Sequence, residues 1–194
     1  MKTIIYTHPD PHSFNHAILT RLCDHFTATA QPFAVIDLYQ DHFDPRLTPA
    51  ELQTYAQGQA LDPLVERYQT LLAASDELLL IFPIWWHQMP AMLKGFFDKV
   101  LLPGFAFAED PNWRGLLPTI TKASVITTAG ETKAELQARP GDPIQTTLIN
   151  GTFADIGIAP GNCQWLHFGR TGSVTDTARQ QFLAALPQLY QQGQ

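Results

Sequence analysis

The sequence predicts an α/β fold, in which one parallel sheet of five strands carries helices on both faces. The first observation is that five β-rich runs alternate with at least five stretches of helical spacing. Such alternation requires right-handed crossovers and therefore parallel strands. The second is Leu78–Phe82, which is apolar throughout and lacks the alternation of a strand with one face in water. The third is that no stretch of the 194 residues resembles a linker, which predicts a single domain over residues 1–194.

The first half of the chain is predicted to contain two strands and three helices before the central strand. Apolar residues four positions apart between Phe14 and Phe26 indicate an amphipathic helix. Thr48 is a suitable cap for a helix that Pro49 begins. In chain order, the predicted elements are a strand at Thr3–Tyr6, a helix from Phe14, a strand at Phe33–Leu38, a helix from Pro49 and a helix over Pro63–Ala74.

The second half begins with the central strand, which Pro83 ends because proline has no backbone donor for the ladder. Pro90 suits the first turn of a helix whose apolar face extends to Leu101. The remaining predicted segments are an irregular aromatic stretch at Pro103–Lys122, a strand at Ala123–Thr128, a helix over Pro143–Ala154, a strand at Cys163–Phe168 and a last helix capped by Thr175 or Asp176.

Charge and hydropathy exclude several classes of partner. The formal net charge of -6 argues against nucleic acids and anionic membrane surfaces, because both attract basic patches. The N-terminus lacks the apolar core of a signal peptide, and no apolar run approaches the roughly 20 residues that span a bilayer. We therefore expect a cytoplasmic protein that does not span a membrane. Cys23 and Cys163 lack zinc or redox spacing and are expected to be reduced packing residues.

Three loops follow the carboxyl ends of strands, where open parallel sheets bind ligands. They read THPDPHSFN, PIWWHQMP and TTAGE, and are called the first, second and third loops. In the first loop, His8, the Ser13 hydroxyl and free helix N–H groups indicate a phosphate cradle, although Ser13 is equally suited to be only an N-cap. Trp85 and Trp86 in the second loop form an aromatic wall, a dimer patch or the edge of the core. The third loop offers two hydroxyls and a close approach at its glycine, or is an ordinary turn.

The three loops together favour a planar ring that carries a phosphate tail, and flavin mononucleotide (FMN) is the obvious ligand of this kind. No metal site is predicted. His12 and His16 are four positions apart, but Pro11 and the start of the helix make a shared ligand geometry unfavourable, so both are interpreted as surface residues.

A wider set of residues resembles a known family. The matching positions lie in the three loops, in the following helix and in two short pairs: His8, Ser13, Phe14, Asn15, Ala17, Asp37, Leu38, Asp44, Pro45, Phe82, Pro83, Trp86, Pro90, Ala91, Leu93, Lys94, Gly95, Val100, Phe105, Ala106, Phe107, Thr127, Thr128 and Gly130. They resemble the NAD(P)H:quinone oxidoreductases, the flavodoxin-like group that includes DT-diaphorase, the modulators of drug activity and the ancillary flavoproteins of potassium efflux systems. The resemblance covers nearly the whole chain and implies a flavodoxin-like, doubly wound sheet in the order 2-1-3-4-5.

The resemblance also implies site residues, a cofactor and partners. The flavin phosphate and ribityl chain would be held by His8, Ser13, Phe14 and Asn15, the isoalloxazine edge by Pro83, Ile84, Trp85, Trp86 and His87, and the pyrimidine end by Thr127, Thr128, Ala129 and Gly130. In such enzymes the site lies at a homodimer interface, where Phe107 and Trp86 would border the substrate. A hydride would pass from NAD(P)H to the flavin and then to a quinone-like acceptor. FMN and FAD both remain open, with FMN preferred.

The third loop departs from the family pattern. Ala129 replaces a glycine, and no Tyr or His lies between Gly130 and Asn162 to stabilise the charge of a reduced flavin. No catalytic acid is assigned. The candidates for stabilising the charge of the reduced flavin are Lys133 and the backbone N–H groups around Ala129–Glu131. The alternatives are a flavodoxin-type electron carrier, a regulatory subunit of a potassium efflux system and a hydrolase, and the last lacks a GxSxG elbow.

Overall fold

The computed structural model describes residues 1–109, 111–139 and 141–192. In chain order its helices and strands are β1 (Lys2–Tyr6), α1 (Phe14–Ala28), β2 (Phe33–Asp37), α2 (Pro49–Tyr55), α3 (Pro63–Ala73), β3 (Glu77–Pro83), α4 (Ala91–Val100), β4 (Phe107–Ala108), β5 (Arg114–Gly115), β6 (Lys122–Thr128), α5 (Lys133–Gln137), a π-helix (Pro143–Phe153), a 3₁₀ turn (Pro160–Asn162), β7 (Cys163–Phe168) and α6 (Asp176–Gln192).

The main sheet contains five parallel strands in the order β2-β1-β3-β6-β7. Without the two short strands β4 and β5, this is the predicted order 2-1-3-4-5, and the predicted α/β fold is confirmed. β3 lies at the centre, paired with β1 and β6, and all seven of its residues are buried. The second loop therefore starts from the central strand of the sheet, which is paired on both sides.

Successive residues of β3 enter different hydrophobic clusters, because the side chains of a strand alternate between the two faces of a sheet. Leu78 and Leu80 belong to a cluster that includes residues of α3, α4 and the π-helix. Leu79 and Ile81 belong to a cluster with residues of α1 and α6. The continuous apolar run in the sequence is thus two interleaved stripes, one for each face.

Two predicted helix starts are confirmed by their caps. The Thr48 hydroxyl accepts from the Glu51 N–H at 3.2 Å, and the Glu51 carboxylate accepts from the Thr48 N–H at 2.8 Å, which closes a capping box before Pro49. At the start of α6, the Thr175 hydroxyl accepts from the Ala178 N–H at 3.2 Å. Of the two alternatives for this cap, Thr175 is the residue used.

The structure differs from the sequence expectations in three short segments. The helix predicted after Pro143 is present but has π winding, and 11 residues are too few for spacing to separate this winding from an α-helix. The five-residue helix α5 was not predicted. The stretch predicted as irregular contains the β4–β5 hairpin, whose two-residue strands carry no readable alternation. Gly115 allows the hairpin to pack closely against Gly157, because a Cβ at position 115 would lie 2.0 Å from the Gly157 nitrogen.

A membrane-crossing helix would have to be both long and apolar, and none of the helices within the described ranges meets these requirements.

Candidate functional site

A cavity of about 250 Å³ lies where the three loops meet at the carboxyl edge of the sheet. Ten of the thirteen residues predicted to bind the cofactor line it: His8, Ser13, Phe14, Asn15, Pro83, Ile84, Trp85, Thr128, Ala129 and Gly130. Thr171, which was not predicted, also lines it. Its N–H donates to the Ala129 carbonyl at 3.0 Å, so the loop after β7 continues the pairing of β6 with β7. Like the three predicted loops, the loop after β7 follows the carboxyl end of a strand, where open parallel sheets bind ligands.

The N-terminus of α1 forms one wall of the cavity. The Ser13 hydroxyl accepts from the His16 N–H at 3.2 Å and caps the helix, while also lining the cavity. The N–H groups of Phe14 and Asn15 have no acceptor among the described residues, and the first turn contains no acidic side chain. Free N–H groups together with the helix dipole favour a bound anion.

Asn15 joins this helix to the end of β6 and leaves one polar atom without a partner. Its side-chain nitrogen donates to the Thr128 hydroxyl at 2.9 Å. Its side-chain oxygen is buried and has no hydrogen-bond donor within the described part of the chain. Because buried acceptors are almost always paired, this oxygen is suited to a donor on a ligand. A ribityl hydroxyl beside a phosphate supplies such a donor, so the residues present fit a flavin nucleotide.

The second loop is held in an uncommon backbone conformation. The Ile84 N–H donates to the Thr128 carbonyl at 2.8 Å, and the backbones of Trp85 and Gln88 exchange hydrogen bonds of 3.0 and 3.1 Å. Between them, Trp86 and His87 both have left-handed φ angles, of 50° and 63°. Such residues cost about 1–3 kcal/mol each and occur often at binding sites.

This conformation separates the predicted residues of the second loop. Trp85 lines the cavity and lies 5.9 Å from His8, measured between ring centroids. Trp86 is 93% exposed and does not line this cavity. His87 lines a neighbouring cavity of about 340 Å³ together with Arg139. The structure therefore brings only part of this loop to the predicted site.

The third loop rests on a buried polar cluster. Thr127 is fully buried and does not line the cavity. Its hydroxyl accepts from the Trp165 indole N–H at 2.8 Å and lies 2.8 Å from Nδ1 of His167. The other ring nitrogen of His167 lies 2.9 Å from the Glu131 carbonyl oxygen. Burial lowers the pKa of His167, and the bond to Glu131 acts in the opposite direction.

Phe107 lies at a different cavity. It stacks on Trp113, with ring centroids 4.4 Å apart and an angle of 6° between the planes. Both rings line a cavity of about 470 Å³ that also includes Met89 and Ile156. Within one chain, Phe107 therefore does not border the cavity formed by the three loops.

Comparison with known proteins identifies the family. The sequence model of the family described as having the flavodoxin-like fold matches residues 2–189. The chain belongs to this family. An NAD(P)H oxidoreductase of Haemophilus influenzae is 32% identical over 178 residues, which are 91% of this chain and 87% of that protein. A ribosyldihydronicotinamide dehydrogenase (quinone) of Pongo abelii is 28% identical over 77% of this chain and 68% of that protein. The solved NAD(P)H:quinone oxidoreductase of Methanothermobacter marburgensis has a TM-score of 0.79 and 27% identity, covering 94% of this chain and 93% of that chain. The family resemblance predicted from the sequence is confirmed.

In this flavodoxin-like protein, the candidate Lys133 is directed at β7. Its ammonium donates to the Trp165 carbonyl at 2.6 Å and lies 4.8 Å from the centroid of the Trp165 ring. Burial lowers the pKa of Lys133. The residue does not line the cavity, so a contact with a ligand there requires its side chain to leave Trp165. Its role in charge stabilisation stays a prediction.

Sequence reasoning missed His167 because it considered histidines only within the segment that follows the third loop. The signal lay in the register of the sheet. β6 and β7 pair in parallel with Thr127 opposite His167, so a histidine near the end of the neighbouring strand reaches the same loop as one within it.

Within residues 1–109, 111–139 and 141–192, no group of three or more His, Cys, Asp or Glu side chains is placed to hold a metal ion. Cys23 and Cys163 are free thiols, and burial raises the pKa of each to about 11.

Proposed function

We propose that the protein is a flavin-dependent NAD(P)H:quinone oxidoreductase, which passes a hydride from NAD(P)H to a quinone-like acceptor in two successive half-reactions. The names of the relatives in the family support the reaction class. The observation that carries the proposal is the single cavity at which a free helix N-terminus, an unpaired buried oxygen of Asn15 and the Trp85 ring meet.

Each wall of the cavity has a distinct role in this proposal. The N–H groups of Phe14 and Asn15 bind the phosphate, with His8 across the loop. The Asn15 side-chain oxygen accepts from a ribityl hydroxyl. Trp85 packs against the ring, whose pyrimidine end meets the backbone at Ala129 and Gly130.

When bound, the flavin supplies two-electron hydride chemistry that amino-acid side chains lack. The chain's own contribution is to orient the ring and exclude water from one of its faces. FMN is preferred over FAD as the cofactor, because the cradle at α1 accounts for one phosphate group.

We further propose that the protein acts in the cytoplasm as a homodimer. The support is apolar surface beside the site. Trp86 and Trp113 are 93% and 50% exposed, and Phe107 and Trp113 line the larger cavity. Exposed aromatic surface of this kind is typical of protein interfaces. In a dimer, Phe107 would border the substrate of the partner subunit.

The absorption spectrum of the purified protein tests the cofactor, and mass analysis after denaturation separates FMN from FAD. Oxidation of NADPH and NADH is then measured with and without a soluble quinone. The proposal predicts flavin bands and quinone-dependent oxidation. Bound flavin without NAD(P)H oxidation would instead favour an electron carrier, and absence of flavin affinity after reconstitution would overturn the proposal. Light scattering of the same sample measures the oligomeric state.

A further inference from the structure

Four groups below the third loop form a chain of hydrogen bonds, here called the Thr127–His167 network. It runs from the Trp165 indole through the Thr127 hydroxyl and the His167 ring to the Glu131 carbonyl oxygen, with distances of 2.8, 2.8 and 2.9 Å. Thr127 and Trp165 are buried, and His167 is partly buried. The catalytic roles proposed above use none of these side chains.

The hydrogen-bond capacities of the groups select one form of His167. An indole N–H only donates and a carbonyl oxygen only accepts. Nε2 of His167 must therefore carry the hydrogen that bonds to Glu131. Nδ1 of the neutral ring then accepts the hydrogen of the Thr127 hydroxyl, whose oxygen accepts from Trp165. Every group is satisfied in this neutral Nε2–H tautomer.

The network fixes the loop that meets the pyrimidine end of the proposed flavin. The Ala129 N–H donates to the carbonyl of Phe168, the last residue of β7, at 3.2 Å, and the Ala129 carbonyl accepts from the Thr171 N–H in the following loop at 3.0 Å. Glu131 is held from the same strand by His167. Gly169 makes this approach possible, because a Cβ there would lie 2.5 Å from the Glu131 carbonyl oxygen. Gly130, which lines the cavity, lies between these two anchors.

Protonation of His167 opposes this arrangement. A hydrogen on Nδ1 would point at the hydroxyl hydrogen of Thr127, which would have to turn away from the ring. The charged groups that act on His167 are Lys133, which disfavours a positive ring, and the Glu131 carboxylate, which favours it. Burial is the largest effect and lowers the pKa below the ordinary value of 6.5. The unfolded chain therefore binds a proton first as the pH falls, so this contribution to stability is complete above pH 6.5 and decreases below it.

We infer that His167 is a positioning residue, which holds the third loop in the shape that accepts the pyrimidine end of the flavin. This inference rests on the proposed function for the identity of the ligand. The anchoring of the loop itself does not depend on it. The residue acts through Glu131 and Thr127 and does not itself line the cavity.

The test uses two variants of His167 and two controls in the full-length protein. His167→Phe keeps the ring and removes both hydrogen bonds, whereas His167→Gln retains an amide N–H that can reach the Glu131 carbonyl. Thr127→Val removes the hydroxyl that bonds to Nδ1 of His167. His25→Gln removes a histidine in the last turn of α1, far along the chain from the network.

The first measurement is the dissociation constant for FMN, obtained from fluorescence quenching between pH 5 and 8. We expect His167→Phe to weaken binding roughly ten-fold or more at pH 7.5, and His167→Gln to recover most of this loss. As the pH falls below the lowered pKa of His167, wild type and His25→Gln should lose affinity more steeply than His167→Phe; the titration of the FMN phosphate is common to all three proteins. Wild-type affinity and an unchanged pH profile in His167→Phe would overturn the inference.

The second measurement needs no flavin. Nitrogen NMR of the apoprotein should show His167 as the neutral Nε2–H tautomer at pH 7.5. Thr127→Val should keep this tautomer, because the Glu131 carbonyl still accepts from Nε2, while the Nδ1 signal should shift because its hydrogen-bond donor is lost. Amide hydrogen exchange at Ala129 and Thr171, whose N–H groups are hydrogen-bonded between the third loop and β7 with the loop after it, should be faster in His167→Phe than in wild type. If wild type binds no FMN, the proposed function fails, and these apoprotein data still decide the positioning role. A charged or Nδ1–H ring, or unchanged exchange, would refute it. If His167→Phe does not fold, Thr127→Val, which removes the other hydrogen bond of the ring, takes its place: faster exchange at Ala129 and Thr171 would support the positioning role, and unchanged exchange would refute it.

Discussion

Replacement of Asn15 by leucine separates the stability of the protein from its affinity for a flavin. Asn15 is 3% exposed and makes one hydrogen bond, from its side-chain nitrogen to the Thr128 hydroxyl at 2.9 Å. Its side-chain oxygen is buried without a donor among the described residues. Leucine has a similar shape and neither polar atom, so the variant removes a bond and an unpaired acceptor together.

These two effects oppose each other in the apoprotein. The change leaves the buried Thr128 hydroxyl without its bond to Asn15, which costs about 1–3 kcal/mol, and it removes an unpaired buried acceptor that costs about the same. We therefore expect the free energy of unfolding of the Asn15→Leu apoprotein to lie within about 1 kcal/mol of wild type. In the complex the acceptor is paired, so its removal leaves a ligand hydroxyl without a partner. The same range of about 1–3 kcal/mol then corresponds to a loss of FMN affinity of about 5- to 150-fold.

Asn15→Asp is the matched control. It keeps an acceptor oxygen at the same place, and it adds a negative charge in the first turn of α1, where the helix dipole favours it by about 0.3–1 kcal/mol. Burial of the carboxylate outweighs this gain and should lower the stability of the apoprotein, and the negative charge should repel a bound phosphate. Urea denaturation measures the first quantity and fluorescence quenching by FMN measures the second. Destabilisation of the Asn15→Leu apoprotein by more than about 3 kcal/mol, or unchanged FMN affinity in both variants, would refute the reasoning.

Three further predictions concern the fold. Lys99→Met should lower the free energy of unfolding in urea by about 3–5 kcal/mol. Lys99 is 5% exposed and its ammonium lies 3.0 Å from the Glu51 carboxylate, which would lose this partner. A loss below about 1 kcal/mol would show that water replaces the cation. Gly95→Ala should cost about 1–3 kcal/mol or more, since a Cβ there would lie 2.2 Å from the Pro45 carbonyl oxygen, and a melting temperature equal to that of wild type would contradict this contact. Thr48→Ala should cost about 1 kcal/mol by removing the capping box, with Thr48→Ser as the control that retains it; equal stability of both variants would exclude the cap as a source of stability.

The parallel sheet and the position of the site could be predicted from the sequence because both depend on local features, whereas the order of the strands was implied by the resemblance to the family. A run such as Leu78–Phe82, which is apolar on both faces, identifies a central strand, and ligands bind at the carboxyl ends of such strands. Ten predicted residues surround one cavity for this reason. The residues that fall elsewhere do so because of contacts that spacing does not encode.

Three residues illustrate the limit. Trp86 faces solvent because its backbone is left-handed, and the surrounding sequence does not predict this conformation. Phe107 lies at another cavity because the short β4–β5 hairpin places it on Trp113. His167 reaches the third loop through the pairing of β6 with β7 across 40 residues of chain. Each position is decided by tertiary structure and not by local pattern.

β7 lies at an edge of the sheet and pairs with β6 alone. Edge strands separate from their neighbours at a lower free energy than central ones, because fewer hydrogen bonds and contacts must break. The side of the cavity bordered by Thr171 and Gly130 is therefore the one we expect to open most often. A bulky ring would pass through that side, and its dissociation rate would depend on how often β7 separates from β6.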